Sequence, residues 1–265
     1  MGTPPFIQSD FFAWFVPVVS APFIGSFLGV LIVRLPDGRP VAITRSACDH
    51  CGHPLGFRDL IPLSSYLASR GRCRFCGGPI GAFAIAIELA AIAVAVWSAA
   101  TVDGDLLWWT CLLGWTLLTL AWIDVRAMIL PDVLTLPLLL MGLIETAIAD
   151  PDSLLDRTLA AAVGYLGLMG VAWLYRHVRG RDGLGLGDAK LLAAIGAWIG
   201  LNALPWALLT AACAGLIAVG IAMLFGKRIS AATPIPFGSL LALSGWLFWL
   251  YADWIDYWLA VLQPM

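Results

Sequence analysis

Apolar runs alternate with short polar loops along most of this chain. A helix crosses the hydrocarbon core of a bilayer in roughly 20 mostly apolar residues. Eight runs suit such a crossing: Phe11–Val33, Ala82–Ala100, Leu106–Ile123, Ile129–Ala149, Leu159–Val178, Ala189–Leu201, Pro205–Phe225 and Phe237–Tyr257. The sixth is short. Between the first and second runs lies a long polar stretch, Arg34 to Gly81. The pattern predicts an all-α polytopic membrane protein of about eight transmembrane helices. A small polar domain is inserted after the first. Three parts are expected: a first transmembrane helix over 1–33, a polar domain over 34–81, and a transmembrane domain over 82–265. No internal repeat and no low-complexity tract stands out.

Composition agrees. The chain is 61% hydrophobic and only 12% charged, against about 25% charged in soluble domains. A net charge of −2 gives no reason to expect nucleic acid or another polyanion as a partner. Membrane lipids are the expected surroundings. Nothing basic precedes the first apolar run, so no cleaved secretory signal is expected. Cytoplasmic loops are enriched in Lys and Arg. With alternating spans, one side receives every Lys and Arg except Arg157. That side, which carries the 34–81 domain, is expected to be cytoplasmic, with both chain ends outside. Trp108, Trp109, Trp246, Trp249, Trp254 and Trp258 suit interfacial belts and helix faces. Cys111 and Cys213 lie in apolar runs and are expected to pack as small core residues.

The polar domain carries Cys48, Cys51, Cys73 and Cys76 as two CxxC pairs. Two intervening residues let both thiolates of a pair face one ion, and two such knuckles complete a tetrahedral site. The pairs are separated by 21 residues, just beyond the usual ribbon spacing of about 15–20. Gly52, Gly77 and Gly78 follow the knuckles and permit positive backbone angles. A structural zinc in a ribbon-like domain is expected, with all four positions filled by thiolate. A pair of disulfides or an iron–sulfur centre are the rival readings, and a cytoplasmic placement argues against disulfides. His50 and His53 could each replace a thiolate but are read as solvated neighbours.

Two aspartates stand where apolar runs meet loops. Asp124 ends LLTLAWID, and Asp188 ends GLGLGD. Ionisable groups at membrane depth are costly and are functional candidates. The bland reading makes each a helix end at the interface. Gly183, Gly185 and Gly187 alternate before Asp188, stripping side chains from one loop so that an extended peptide could approach. Two facing carboxylates would share a proton, as in aspartic proteases. One takes a proton from water while the other polarises the carbonyl. Asp132 and Asp182 are competing acids nearby. Glu88 and Lys190 are possible supporting residues. The alternating glycines do not make a dinucleotide fingerprint, and no Walker-type GK[ST] follows.

The motifs together resemble the type IV prepilin peptidase family, membrane aspartic peptidases of the GxGD type. The likeness spans nearly the whole chain: GSFLGVLIVRLP at Gly25–Pro36, the four cysteines, IPLSSYLASRGRC at Ile61–Cys73, and Glu88-Leu89. It continues through IDVRAMILPD at Ile123–Asp132, GLGLGDAKLL at Gly183–Leu192 and PIPFG at Pro234–Gly238. The resemblance implies that Asp124 and Asp188 are the catalytic dyad. It implies cleavage of prepilins or type II secretion pseudopilins after the glycine that ends a short basic leader. Methylation of the new N-terminus with S-adenosylmethionine would follow, at a bacterial inner membrane. Pro234 and Pro236 are expected to shape a loop near the site. Gly29 stands where the family usually has Asn, and Leu60 replaces the Asn of an Asn-Ile-Pro. A peptidase without methyltransferase activity is the alternative within the family. From other classes come a proton-relaying transporter with a regulatory ribbon and a non-enzymatic scaffold. Transporters usually carry repeats and paired broken helices.

Overall fold

The computed structural model describes residues 11–41, 46–48, 50–180, 185–226 and 234–252. Among these residues the fold is helical, with no strand. The chain divides into two compact units, Met1–Trp115 and Thr116–Met265, and the division falls inside one helix.

The first unit contains α1 (Phe11–Arg34), the four-cysteine segment, the short α2 (Ser64–Ala68), α3 (Ala82–Thr101) and the first half of α4 (Leu106–Ala127). Helices α1 and α3 pack through small residues. Ala21, Ile32, Ile87, Ala91 and Ala95 are fully buried. At Gly25 the helix backbones come so close that a Cβ would lie 2.7 Å from the Glu88 Cα. In lipid, where no hydrophobic drive joins helices, such close packing is a main source of association. Trp115 Nε1 donates to the Ala91 carbonyl at 3.0 Å, giving its indole a partner inside the apolar layer.

The cysteine segment contains a short repeat that the chain-wide pattern obscures. CGHPL at Cys51 and CGGPI at Cys76 match in placement. Cys48 N–H donates to the His53 carbonyl at 3.0 Å, and Gly52 N–H donates back to Cys48 at 2.8 Å. Cys73 and Gly78 (2.8 Å), and Gly77 and Cys73 (2.9 Å), repeat that arrangement. An isolated antiparallel bridge closes each knuckle, Ala47 with Pro54 and Arg72 with Pro79. Both turns need the left-handed backbone, with φ of 69° at Gly52 and 70° at Gly77, which glycine adopts without steric cost.

The second unit contains the end of α4, α5 (Asp132–Ala149), α6 (Leu154–Arg179), α7 (Leu186–Leu224) and α8 (Phe237–Leu250). Helix α7 is central, packing on α5, α6 and α8. Its stretch Ala189–Trp198 is buried throughout apart from Lys190. Helix α5 shows how the sequence is sorted. Leu136, Leu140, Ile144 and Ile148 are exposed at a four-residue interval, while Thr135, Gly142, Glu145 and Thr146 are buried. Apolar side chains outside and polar or small ones inside suit a lipid surround.

Among the described residues, six helices are long and apolar enough to cross a membrane: α1, α3, α4, α5, α6 and α7. Over the 39 residues of α7 the helical path is not continuous. It is broken at Gly200 (φ 80°, ψ 177°). The two arms, 186–199 and 201–224, are helices in their own right and correspond to the expected sixth and seventh segments, joined directly at the break. At the break, Leu201 N–H donates to Asp156 Oδ2 at 3.1 Å, and Arg157 Nη1 donates to the Trp198 carbonyl. Two charged side chains from the first turn of α6 thus satisfy backbone groups that the break would otherwise leave without partners. The shorter apolar helix α8 completes the unit.

Candidate active site and metal centre

Asp124 lies one turn before the end of α4 and is only 5% exposed. The helix stops because Met128 turns left-handed, φ 55°, with its N–H donating to the Asp124 carbonyl at 2.8 Å. That turn reverses the chain and brings Leu130 back beside the helix end. Across from it starts α8. Ser239 N–H donates to Asp124 Oδ2 at 2.7 Å, so a first-turn amide of α8, free of any helical acceptor, orients the carboxylate. Gly238 gives the room for this. A Cβ there would lie 2.9 Å from Leu130 Cδ1 and 3.1 Å from both Cγ and Oδ2 of Asp124.

Asp188 is the third residue of α7, half-buried, with its N–H donating to the Gly185 carbonyl at 3.2 Å. Gly185 caps the helix in extended conformation, φ −73° and ψ 138°. Gly187 abuts Leu130 too, since a Cβ there would lie 3.0 Å from Leu130 Cβ. Leu130, 9% exposed, is therefore wedged between the glycines that open α7 and α8. The same wedge gathers Asp124 and Asp188, and the Asp124 charge acts on the Asp188 carboxyl. Lys190 Nζ holds both oxygens of Asp132, at 2.7 and 2.8 Å, tying the first turn of α7 to that of α5. Of the competing acids, Asp132 is thus engaged in an ion pair. Asp182 and Gly183 lie outside the described residues.

Sequence reasoning placed Gly187 in a substrate loop but missed Leu130, Gly238 and Ser239 as its neighbours. The signal was present in PIPFGS: a proline-framed entry followed by glycine and serine at a helix start.

Glu88, in the first unit, is 7% exposed. Its Oε2 accepts the Leu63 N–H at 2.8 Å. Leu63 is itself left-handed, φ 57°, so the carboxylate fixes an uncommon backbone turn at the start of α2.

The four cysteine sulfurs lie within 4.8 Å of one another, and Cys48 Sγ and Cys76 Sγ are 3.9 Å apart. Tetrahedral zinc with bonds of about 2.3 Å requires sulfurs about 3.8 Å apart, so the cluster can hold such an ion. The electrostatics favour one. Backbone N–H groups of Cys76 and Phe75, followed by neighbouring thiols, lower Cys73 to about 6. At Cys76 the Gly78 N–H pulls downward, but burial and the other three thiols outweigh it and push the group up to about 11. One sulfur gains its charge at another's expense, and a dication removes that conflict. The histidines serve packing. The His53 ring packs against Phe75 of the other knuckle with centroids 3.6 Å apart and planes tilted by 34°, and the His50 ring lies over Gly78. Neither belongs to the sulfur cluster.

Two family models match the chain. "Bacterial Peptidase A24 N-terminal domain" covers residues 19–102, and "Type IV leader peptidase family" covers 111–220. A protein of Aeromonas hydrophila named prepilin leader peptidase/N-methyltransferase is 39% identical over 262 aligned positions, covering 89% of each chain. Proteins of the same name from Burkholderia pseudomallei (40% identical; 86% of this chain and 82% of the relative) and Pseudomonas aeruginosa (38%; 88% of each) are similarly close. No solved structure matches.

Proposed function

Because this chain belongs to the type IV leader peptidase family, we propose that it removes the leader of prepilins or pseudopilins and then N-methylates the new terminus. Asp124 and Asp188 serve as the catalytic pair. The observation that carries this reading is the gathering of both aspartates around Leu130, at the openings of α7 and α8.

The pair shares one proton. The ionised carboxylate takes a proton from water as that water attacks the scissile carbonyl. The protonated partner donates to the carbonyl oxygen; the first aspartate then passes the proton it took from water to the departing amine, and the partner regains its own as the carbonyl re-forms. The Ser239 N–H keeps the Asp124 carboxylate aimed. Gly185 leaves the loop just ahead of α7 bare enough for an extended leader to lie along it, while Gly187 makes room for Leu130. The Lys190–Asp132 pair holds that loop's helix in place.

The remaining assignments follow from chemistry. Zinc is the ion for the four thiolates, because soft sulfur donors in a closed tetrahedral set suit it. Its role is structural, holding the 34–81 domain. The membrane is the bacterial inner membrane, with the cysteine domain and aspartates cytoplasmic and both termini outside. The basic last turns of α1 (Arg34), α4 (Arg126) and α6 (Arg176, Arg179) support that orientation. Residues 82–265 act as the peptidase domain behind the first transmembrane helix and the zinc domain. S-adenosylmethionine, when bound, supplies an electrophilic methyl group to the exposed amine.

The test is leader cleavage by Asp124→Asn and Asp188→Asn variants in proteoliposomes. Each amide keeps the shape but takes no proton from water. Each variant loses cleavage almost as fully as the double variant, since such residues act as a unit. Near-parental processing by either single variant refutes the dyad.

A further inference from the structure

Helices α1 and α3 tie the polar domain to the bilayer at both of its ends. One part of that domain is drawn down beside them. Leu63, at the opening of α2, donates its N–H to Glu88 Oε2 at 2.8 Å. Glu88 is the seventh residue of α3, so its Cα lies about 9 Å beyond the helix start at a rise of 1.5 Å per residue. The neighbouring helix gives a similar depth. Gly25 packs on the Glu88 Cα and stands nine residues before Arg34, the end of α1, or about 14 Å. Side chains on a helix lean toward its N-terminus, so the Glu88 carboxylate meets Leu63 at a shallower level than its own Cα. The 20 residues of α3 extend about 30 Å, the thickness of a hydrocarbon core. Leu63 is therefore held near the boundary between headgroups and acyl chains.

The residues around Leu63 suit that level. A tight helical turn, Phe57–Leu60, packs on α2. Together they leave three large apolar side chains open: Phe57 is 86% exposed, Leu67 68% and Leu60 42%. Apolar side chains gathered in so short a stretch mark an interaction surface. The same stretch is basic. From Phe57 to Ile80 the chain carries Arg58, Arg70, Arg72 and Arg74, all exposed, and one acid, Asp59. Asp59 Oδ1 lies 3.7 Å from Arg74 Nε. An arginine lays its stem along apolar surface and lifts its charged head away from it. The positive excess attracts lipid phosphates and repels the basic leader expected of the substrate. Left-handed turns bracket α2, with φ of 57° at Leu63 before it and of 53° and 67° at Arg70 and Gly71 after it. Such angles are uncommon outside glycine. The second turn carries the chain away toward the second knuckle, with the Gly71 N–H donating to the Tyr66 carbonyl at 2.9 Å.

We infer that Phe57–Ala68 is a membrane-interface anchor, whose occupant is the bilayer itself. Phe57, Leu60 and Leu67 lie among the upper acyl chains, where the apolar faces of interfacial helices reach about 5–10 Å deep. Arg58 and Arg70 stand at the level of the phosphates. Glu88 is the post to which the anchor is fastened. The anchor fixes the height of the cysteine domain, which its two chain ends alone would leave free to tilt. The inference requires that α1 and α3 cross the bilayer, and it does not depend on the peptidase reading.

The experiment measures depth on the full-length, metal-loaded chain in phosphatidylcholine nanodiscs. A fluorescent amino acid replaces Leu67, or replaces Pro54 as a control, exposed on the first knuckle. Quenching by a nitroxide carried high on a lipid acyl chain is compared with quenching by aqueous iodide. The expected result is several-fold stronger lipid quenching at position 67 than at position 54, with the order reversed for iodide. The parental chain supplies a second reading. A phospholipid with a diazirine high on its acyl chain labels peptides containing Phe57–Ala68. Phe57→Asp combined with Leu67→Asp lowers that labelling about tenfold or more, while labelling of α3 and the metal content stay at parental levels. Iodide reaching position 67 where lipid does not, with no label on the parental segment, refutes the anchor. Shielding from both quenchers also refutes it: relieved in discs that hold one chain, it shows a second copy on this face, and unrelieved, it shows the chain's own cover. A basic leader peptide that displaces the lipid label makes the segment a substrate surface and overturns the anchor as well.

Discussion

Gly238→Ala adds one methyl group and no charge, yet the geometry around Asp124 gives it a large expected effect. The new Cβ would lie 2.9 Å from Leu130 Cδ1 and 3.1 Å from the Asp124 carboxyl carbon. Carbon atoms pack at about 3.5–4.0 Å, so something must move by about half an ångström. Leu130 has little freedom, because Gly187 confines it from the other side with a spacing that would put a Cβ 3.0 Å away. The motion therefore falls on Asp124 or on the start of α8, and either shift disturbs the Ser239 N–H bond of 2.7 Å. A misplacement of about 1 Å can cost about 100-fold in rate, and the expected loss in kcat is about 10- to 100-fold. That corresponds to about 1.4–2.7 kcal/mol of transition-state stabilisation. The assay is prepilin cleavage in proteoliposomes, with thermal unfolding in detergent as the control for folding. Gly220→Ala, on α7 with nothing within 4 Å of its Cβ, is the matched silent substitution. A Gly238→Ala protein that cleaves at the parental rate refutes the claim that α8 positions the aspartate.

Three other outcomes follow from the same contacts. Purified protein carries one zinc per chain, and Cys73→Ser or strong chelation removes it and opens residues 46–81 to proteolysis. Metal analysis and limited digestion check this, and a metal-free but protease-resistant segment would contradict it. Lys190→Met breaks a partly exposed ion pair, so stability changes by only about 0–1 kcal/mol while cleavage falls several-fold. The swap Lys190→Asp with Asp132→Lys restores much of the rate, and a swap that restores nothing points to a role beyond pairing. Asp156→Ala leaves the Leu201 N–H at the Gly200 break without its acceptor, a cost of about 1–3 kcal/mol read as a lower unfolding temperature; an unchanged temperature would mean the break finds another partner.

Apolar periodicity made the helices legible, because lipid imposes length and polarity on every crossing. It separated Ala189–Leu201 from Pro205–Phe225, where the structure does break between two helices, but it could not show that they join at a single residue. Gly200 takes an extended, positive-φ conformation that only its partners Asp156 and Arg157 explain, and they lie more than forty positions earlier. The cysteine spacing was enough to foresee a four-sulfur cluster. The repeat within it was overlooked because the two knuckles share only Cys, Gly and Pro at fixed offsets, a signal far shorter than the repeats of whole folds.

The aspartates illustrate a deeper limit. Their position at helix ends was readable from charge and hydropathy. The surrounding glycines were readable as permissive backbone, but not as surfaces with an occupant. In the structure the function of Gly187 and Gly238 is negative space: each omits the one atom that would collide with Leu130. A side chain that is absent leaves no chemical signature of what fills its place. Leu130 in turn looks like any apolar residue in a run of them. Only when three segments, at 124–130, 185–190 and 236–239, are brought together does a leucine become a spacer that sets where two carboxylates stand. On the proposed reading the chemistry of this site is carried by two residues whose type announces it. Its geometry is carried by residues whose type conceals it, which is why substitutions that add a methyl group are a sharper probe of the site than those that remove a charge.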